Sequence, residues 1–273
     1  MSGIAWLAGR WGQATELAVP LADRGLRLAD GLFETVLVLA GEAQLLEEHL
    51  QRWRQGAALL AMEPPPERAW LEPLIQEAIE RAALPQGHGA LRLNWSRGDG
   101  GGRGLNLPDA GGAAAHRFWL QLDPCAPQFS PLKAWISRQE QRAAHSLLSR
   151  CKTFAYGQAI QARREAQAAG ADEAVLLSSA GELCCGAVAN LLVRRQGRWL
   201  TPPLSSGCLP GVMRARALAL GLAEEARLAP EPQPGDAWLL LNSLSGRPLL
   251  TVDGHRLAPF SSGAAEALWR QLL

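Results

Sequence analysis

The sequence predicts a mixed α+β chain built as two domains, and three observations carry that expectation. Strand-like and helix-like runs mix without the strict alternation of a doubly wound sheet. The 273 residues suffice for two medium domains, each with its own core. A proline-rich break, Asp123-Pro-Cys-Ala-Pro-Gln, falls near the middle and reads as an interdomain linker. The expected division is an N-terminal domain over 1–122, a linker over 123–131 and a C-terminal domain over 132–273.

Phe33 to Leu39 follows the turn-rich stretch Leu21 to Gly31 and reads as a strand. Leu45 to Met62 has the apolar spacing of an amphipathic helix, stopped by the run Pro64-Pro65-Pro66. Trp70 to Ala83 is a second helix, with Leu71, Leu74, Ile75 and Ile79 on one face. Ala90 to Ser96 alternates as a strand, placing Leu91, Leu93 and Trp95 on one side and Arg92 and Asn94 on the other. A glycine-rich loop spans Arg97 to Pro108, and Phe118 to Leu122 is the next strand. The second half opens with a strand at Leu132 to Ser137, then a helix from Tyr156 to Ala169 closed by Gly170. Ala174 to Leu177 is a short apolar strand, and Leu191 to Val193 with Trp199 to Leu200 form a hairpin turning at Gln196-Gly197. Gly211 to Ala223 is helical, Ala237 to Leu241 a strand, and Ala264 to Leu273 a terminal helix.

Composition narrows the function. With 48% hydrophobic residues, 19% charged residues and a formal net charge of +1, the chain is an ordinary globular protein. That charge gives no electrostatic footprint for nucleic acid or an anionic membrane. No apolar stretch is long enough to span a bilayer and no signal peptide is evident, so a cytoplasmic location is expected. Cys125, Cys151, Cys184, Cys185 and Cys208 are odd in number and lack Cys-x-x-Cys spacing, which supports neither a disulfide framework nor a zinc site.

Lysine is the informative residue. The chain takes nearly all its positive charge from arginine and keeps lysine only at Lys133 and Lys152. Arginine can replace lysine as a charge but not as a nucleophile, because a guanidinium does not give up its proton at working pH. Lys152 is therefore the candidate amine for a Schiff base, with the chain's one tyrosine, Tyr156, four residues on. The loop Ser96-Arg-Gly-Asp-Gly-Gly-Gly-Arg-Gly104 fails the dinucleotide register and leads into no helix. Its Arg97 and Arg103 suit a bidentate carboxylate contact. Gly207-Cys-Leu-Pro-Gly-Val-Met-Arg214 is a better phosphate candidate, because a helix starting after Gly211 would offer the N–H groups of Val212 and Met213. His49 reads as a hydrogen-bonded structural residue, and Cys184-Cys185 as buried thiols.

Taken together, these tracts resemble the fold-type-IV pyridoxal-phosphate enzymes, which include branched-chain and D-amino-acid aminotransferases and 4-amino-4-deoxychorismate lyase. Asp23-Arg-Gly and Ala29-Asp-Gly-Leu-Phe-Glu-Thr35 look like the opening motif. His49-Leu-Gln-Arg52 looks like the helix with the phosphate-binding arginine, and Lys152-x-x-x-Tyr156 like the cofactor lysine and its companion tyrosine. Ala171-Asp-Glu-Ala, Gly181 to Asn190-Leu, Thr201-Pro, Leu209-Pro-Gly-Val-Met-Arg214 and Asn242-Ser243 follow in the expected order, over nearly the whole chain.

The resemblance implies a two-domain fold with pyridoxal 5'-phosphate near the domain boundary, a C-terminal domain carrying the aldimine lysine, and a homodimer. It implies that Lys152 holds the cofactor and moves the substrate proton, and that Tyr156 bonds the cofactor's phenolic oxygen. Arg52, Gly211, Val212, Met213 and Ser243 would hold the phosphate, with Asn190 beside them. Met213 stands where aminotransferases often have threonine. Counting back from Asn190, the glutamate that faces the pyridine nitrogen falls at Cys185, whereas Glu182 comes three residues too early. A thiol is a weaker partner for that nitrogen, which disfavours transamination more than an elimination that ends in an aromatic product. Leu91-Arg-Leu, Ser96-Arg-Gly, Gly102-Arg-Gly and Asn242-Ser243-Leu244 look most like the lyase branch. That implies conversion of 4-amino-4-deoxychorismate to 4-aminobenzoate and pyruvate, a step toward folate. Thr35 is the candidate for protonating the departing enolpyruvate, and Arg97 and Asn242 are candidates for holding the substrate. A D-amino-acid or branched-chain aminotransferase is the alternative on the same scaffold, and a non-catalytic cofactor-binding homologue the alternative of another kind.

Overall fold

The computed structural model describes residues 3–99, 104–107 and 116–273. Arg103 and part of the glycine-rich loop therefore lie outside the described residues. The chain divides into two compact units, one of residues 1–126 with 151–155 and the other of 127–150 with 156–273.

The first unit contains β1 (Ile4–Leu7), β2 (Arg10–Gly12), α1 (Arg24–Leu28), β3 (Gly31–Leu39), β4 (Glu42–Ala43), α2 (Leu46–Leu59), α3 (Arg68–Arg81), β5 (His88–Ser96) and β6 (Arg117–Pro124). Its six strands lie in the order β2-β1-β6-β5-β3-β4. One face of the sheet packs on the helices. Leu32, Val36, Leu91, Leu93, Leu120 and Leu122 meet Leu50, Trp53, Leu71 and Ile75 in one core. The alternation of β5 is as its sequence reads, with Leu91 and Leu93 fully buried and Arg92 partly exposed. α1 is a short helix the apolar pattern does not announce; Asp23 caps it by accepting from the Gly25 N–H, and Ala29 ends it in the left-handed region.

The second unit contains β7 (Leu132–Arg142), α4 (Gly157–Ala168), β8 (Glu173–Ser178), β9 (Leu183–Gly186), β10 (Asn190–Arg195), β11 (Arg198–Thr201), α5 (Val212–Ala219), β12 (Ala223–Glu225), β13 (Ala237–Asn242), β14 (Ser245–Val252), β15 (His255–Arg256) and α6 (Ser262–Gln271). Its main path runs β12-β11-β10-β13-β14-β7-β8-β9, and β9 also pairs with β10 through Cys185 and Asn190. That pairing closes the path on itself. Leu132, Ile136, Val175, Leu191, Val193, Trp238 and Leu240 fill the core.

Two sequence expectations are corrected here. The helix after Gly211 ends at Ala219, because Gly221 turns with φ 68° and Ala223–Glu225 pairs with β11 instead. More consequentially, Lys152 does not belong to the C-terminal unit. Cys151–Ala155 leaves that unit and lies along the free edge of β3, where the Phe33 N–H donates to the Lys152 carbonyl at 2.9 Å and the Phe154 N–H donates to the Gly31 carbonyl at 3.0 Å.

Candidate active site

β3 presents two chemically different faces, because its side chains alternate. Leu32, Glu34 and Val36 point toward α2. There Glu34 is fully buried and accepts from His49 Nδ1 at 2.8 Å, from Arg52 Nε at 2.8 Å and from Arg52 Nη2 at 2.5 Å. Burial pushes the Glu34 carboxyl up, but Arg52 and His49 together outweigh it and hold the group at about 2. Burial is also the largest influence on His49, which it holds below the ordinary histidine value. His49 is thus a neutral donor, Glu34 an anion and Arg52 its bidentate partner. This agrees with reading His49 as a structural residue.

The other face carries Phe33 and Thr35. Across the strands, Phe33 stands opposite Asn94, and Thr35 opposite Arg92. Lys152 reaches the same face from the sheet edge, with its Nζ 4.3 Å from the Phe33 ring centroid. The Arg92 guanidinium carbon lies 3.6 Å from the same centroid, oriented by its Nε bond to Asn94 Oδ1 at 2.8 Å. The lysine segment is seated by close packing: a Cβ at Gly31 would fall 2.2 Å from the Phe154 ring. Cys151, just before Lys152, is buried in the first unit's core. One aromatic ring thus carries a primary amine and a guanidinium, with a hydroxyl one position along the strand.

In the second unit, α5 begins after Gly211 with no side-chain cap, which leaves the Val212 and Met213 N–H groups to be satisfied from outside the helix. Gly211 lets Asn190 approach closely, because a Cβ there would lie 1.9 Å from Asn190 Oδ1 and force that side chain to move. Asn190 itself donates to the Leu209 carbonyl at 2.9 Å, bracing the loop that enters the helix. Ser243 lies in the tight turn between β13 and β14. Tyr156 stands at the start of α4. Cys185, opposite Asn190 in the closing pair, is buried beside Cys184 and Cys208 among alanine and leucine side chains.

Two candidate substrate contacts are held in internal bonds. Arg97 donates through Nε to Asp30 at 2.9 Å, through Nη1 to the Ala61 carbonyl at 2.8 Å and through Nη2 to the Leu60 carbonyl at 2.8 Å. All three nitrogens tie the end of α2 to the strand, so the carboxylate it meets is Asp30. Asn242 accepts from the Leu244 N–H at 2.8 Å and from Ser245 Oγ at 3.0 Å, and donates to the Val188 carbonyl at 3.2 Å. Its amide organises the β13–β14 turn.

A sequence model of the amino-transferase class IV family matches residues 31–248, four-fifths of the chain and every motif from Phe33 to Ser243. The chain belongs to this family. A bifunctional aminodeoxychorismate lyase and D-amino acid transaminase from Mycobacterium tuberculosis is 27% identical over 258 residues, covering 84% of this chain and 83% of that protein. A hypothetical aminotransferase from the same organism, solved in a pyridoxal-phosphate-bound form, superimposes with a TM-score of 0.84 at 24% identity, covering 99% of this chain and 98% of that one. The branched-chain amino acid aminotransferase of Escherichia coli superimposes with a TM-score of 0.85 at 20% identity, covering 97% and 93%. The fold is therefore that of the fold-type-IV enzymes, whose cofactor is pyridoxal phosphate.

The donors of this class IV chain fit that cofactor. An amine able to form a carbonyl adduct, an uncapped helix N-terminus for a phosphate, and a glycine where any Cβ would collide are what the group requires. The departure is Cys185. Sequence reading passed over Phe33 and Arg92, although the alternation of β5 already set Arg92 on the polar face. It also gave Glu34 no role of its own, because only the α2 contact shows why a carboxylate is buried there.

Proposed function

We propose that this chain is a pyridoxal-phosphate-dependent lyase that converts 4-amino-4-deoxychorismate to 4-aminobenzoate and pyruvate. The supporting observation is the face around Phe33, where Lys152, Thr35 and Arg92 present an amine, a hydroxyl and a guanidinium together. An elimination from a carboxylated substrate uses all three.

Bound pyridoxal phosphate withdraws electrons from the carbon that bears the substrate amine. Lys152 would hold the cofactor, and its free amine would remove the proton from that carbon. The carbon–oxygen bond to the enolpyruvyl group breaks and the ring becomes aromatic. The three-carbon fragment takes up a proton at carbon to become pyruvate, and Thr35 is the residue that hands it over. The substrate's atoms equal those of the two products, so no oxidant or second substrate is needed. Arg92, in place of Arg97, anchors a substrate carboxylate. Val212 and Met213 N–H groups, Ser243 and Arg52 serve the phosphate. Arg52 also holds Glu34 through Nε and Nη2, which fixes its guanidinium against β3. Tyr156 donates to the phenolic oxygen, and Asn190 and Gly211 keep the start of α5 open. The working form is a homodimer in the cytoplasm. Among the described residues no helix is long and apolar enough to cross a membrane.

The test is product analysis with purified protein. The proposal expects 4-aminobenzoate and pyruvate in equal amounts from aminodeoxychorismate. A protein that yields neither, yet exchanges amino groups between D-alanine and 2-oxoglutarate, is a transaminase instead. That second reading is favoured by the bifunctional relative. A preparation that takes up no pyridoxal phosphate rejects both.

A further inference from the structure

The second unit places an unusual partner at the point where its sheet closes. Cys185 pairs with Asn190 across β9 and β10, about 5 Å away at ordinary cross-strand spacing. Asn190 Oδ1 packs directly on Gly211, the residue before the uncapped N–H groups of Val212 and Met213. Cys185 is therefore the side chain that would meet the far edge of a flat heteroaromatic ring whose phosphate took those N–H groups. The surroundings of that thiol are apolar: Ala162, Ala166, Ala174 and Leu176 with Cys184 and Cys208.

Among the described residues, the acidic side chains nearest in the sheet to Cys185 are engaged elsewhere. Glu182 accepts from Ser206 Oγ at 2.5 Å and from Arg227 Nη1 at 2.6 Å. Glu173, on the neighbouring strand, is paired with Arg163. The charged side chain that acts on Cys185 is a cation, Arg142, which is tied to the Gly207 carbonyl at 3.2 Å. A ring protonated at this position would be a buried cation beside a thiol, with a like charge nearby and Glu173 and Glu182 already paired, an arrangement that burial strongly disfavours. A neutral Cys185 thiol has one S–H to donate.

We propose that this chain binds pyridoxal phosphate with the ring nitrogen unprotonated and accepting a hydrogen bond from the Cys185 thiol. The inference rests on the cofactor reading above and deepens it. A neutral ring is the weaker electron sink, so the site suits a reaction driven by formation of an aromatic product better than one that must store a full carbanion.

The experiment is nitrogen NMR of holoenzyme reconstituted with cofactor labelled at the ring nitrogen, run beside mass spectrometry of the borohydride-reduced protein. The expected result is a resonance at the downfield position of a neutral pyridine in the wild type and in Cys185→Ser. In Cys185→Asp or Cys185→Glu it should move upfield to the protonated position. Both carboxylate variants are made so that failure of one to fold leaves the other to decide. A wild-type resonance already at the protonated position overturns the proposal, as does a carboxylate variant that leaves the resonance unmoved. A missing cofactor mass on the Lys152 peptide instead overturns the cofactor reading itself.

Discussion

Phe33 brings two cations to one ring, and the residue-scale predictions turn on which of them does chemistry and which does binding. Lys152→Ala should abolish the reduced cofactor adduct and lower turnover by about a thousandfold or more. Wild-type turnover in that variant, measured by pyruvate release, would remove Lys152 from the mechanism. Arg92→Met should act on recognition: 4-aminobenzoate should bind about tenfold to a hundredfold more weakly by calorimetry, the range for loss of a charge-assisted contact. Aniline, which lacks the carboxylate, should bind both proteins equally, and an equal loss for both ligands would mean that Arg92 only supports the strand. Arg97 shows why residue type alone misleads. It has the chemistry for a carboxylate, and its carboxylate is Asp30. The scarcity of lysine singles out Lys152 as the residue to test first, because amine chemistry has no substitute among the other cations.

At the scale of elements, the start of α5 and the lysine segment each depend on a glycine. Gly211→Ala puts a Cβ 1.9 Å from Asn190 Oδ1 and must displace the Asn190 side chain, which braces the Leu209 carbonyl before the helix. Pyridoxal-phosphate affinity should fall by about tenfold or more while the far-ultraviolet spectrum stays close to wild type, a split that fluorescence titration would read. The β3–α2 contact is a buried ion pair. Glu34→Gln leaves Arg52 facing a neutral amide and should cost about 3 kcal/mol in urea unfolding. Most helices and strands are legible in the chain because their faces repeat every 3.6 or 2 residues. α1, β9 and β14 are less so: α1 is held by a cap, β9 is four residues of which all are buried, and β14 is interrupted by a glycine and a proline. Helix 211–223 was overestimated for the converse reason, since Ala223–Glu225 keeps a helical composition but has a strand edge to pair with.

For the whole molecule, acid stability follows from the Glu34 cluster. Glu34 has a folded value near 2 against an ordinary 4.5, so its contribution is complete above pH 4.5 and is lost as pH falls toward 2. That contribution is about 3 kcal/mol. His49 is held below its ordinary 6.5 by burial, so the unfolded chain binds the extra proton first and stability begins to decline as pH drops below 6.5. Thermal unfolding should therefore show a lower midpoint at pH 5 than at pH 7.5, and Glu34→Gln should flatten the profile below pH 4.5. A midpoint that rises on acidification would contradict the assignment. Thiol reactivity gives an independent check. Cys125 is partly exposed, whereas Cys151, Cys184, Cys185 and Cys208 are buried, and burial pushes the Cys208 thiol up to about 12. One thiol per chain should react quickly with a disulfide reagent in the native protein and all five after unfolding.

By itself the sequence determined the α+β class, most elements and the order of motifs that places the chain in its family, and it named the amine to test. These depend on local periodicity and on residue chemistry, which survive without coordinates. Only the tertiary structure decided that Lys152 lies along β3 in the first unit, that Arg97 belongs to Asp30, and that Arg92 shares the Phe33 ring. The physical reason is the same in each case. A backbone edge, a carboxylate or an aromatic face acts as a partner through distance in space, and the partners here are 119, 67 and 59 residues away in the chain.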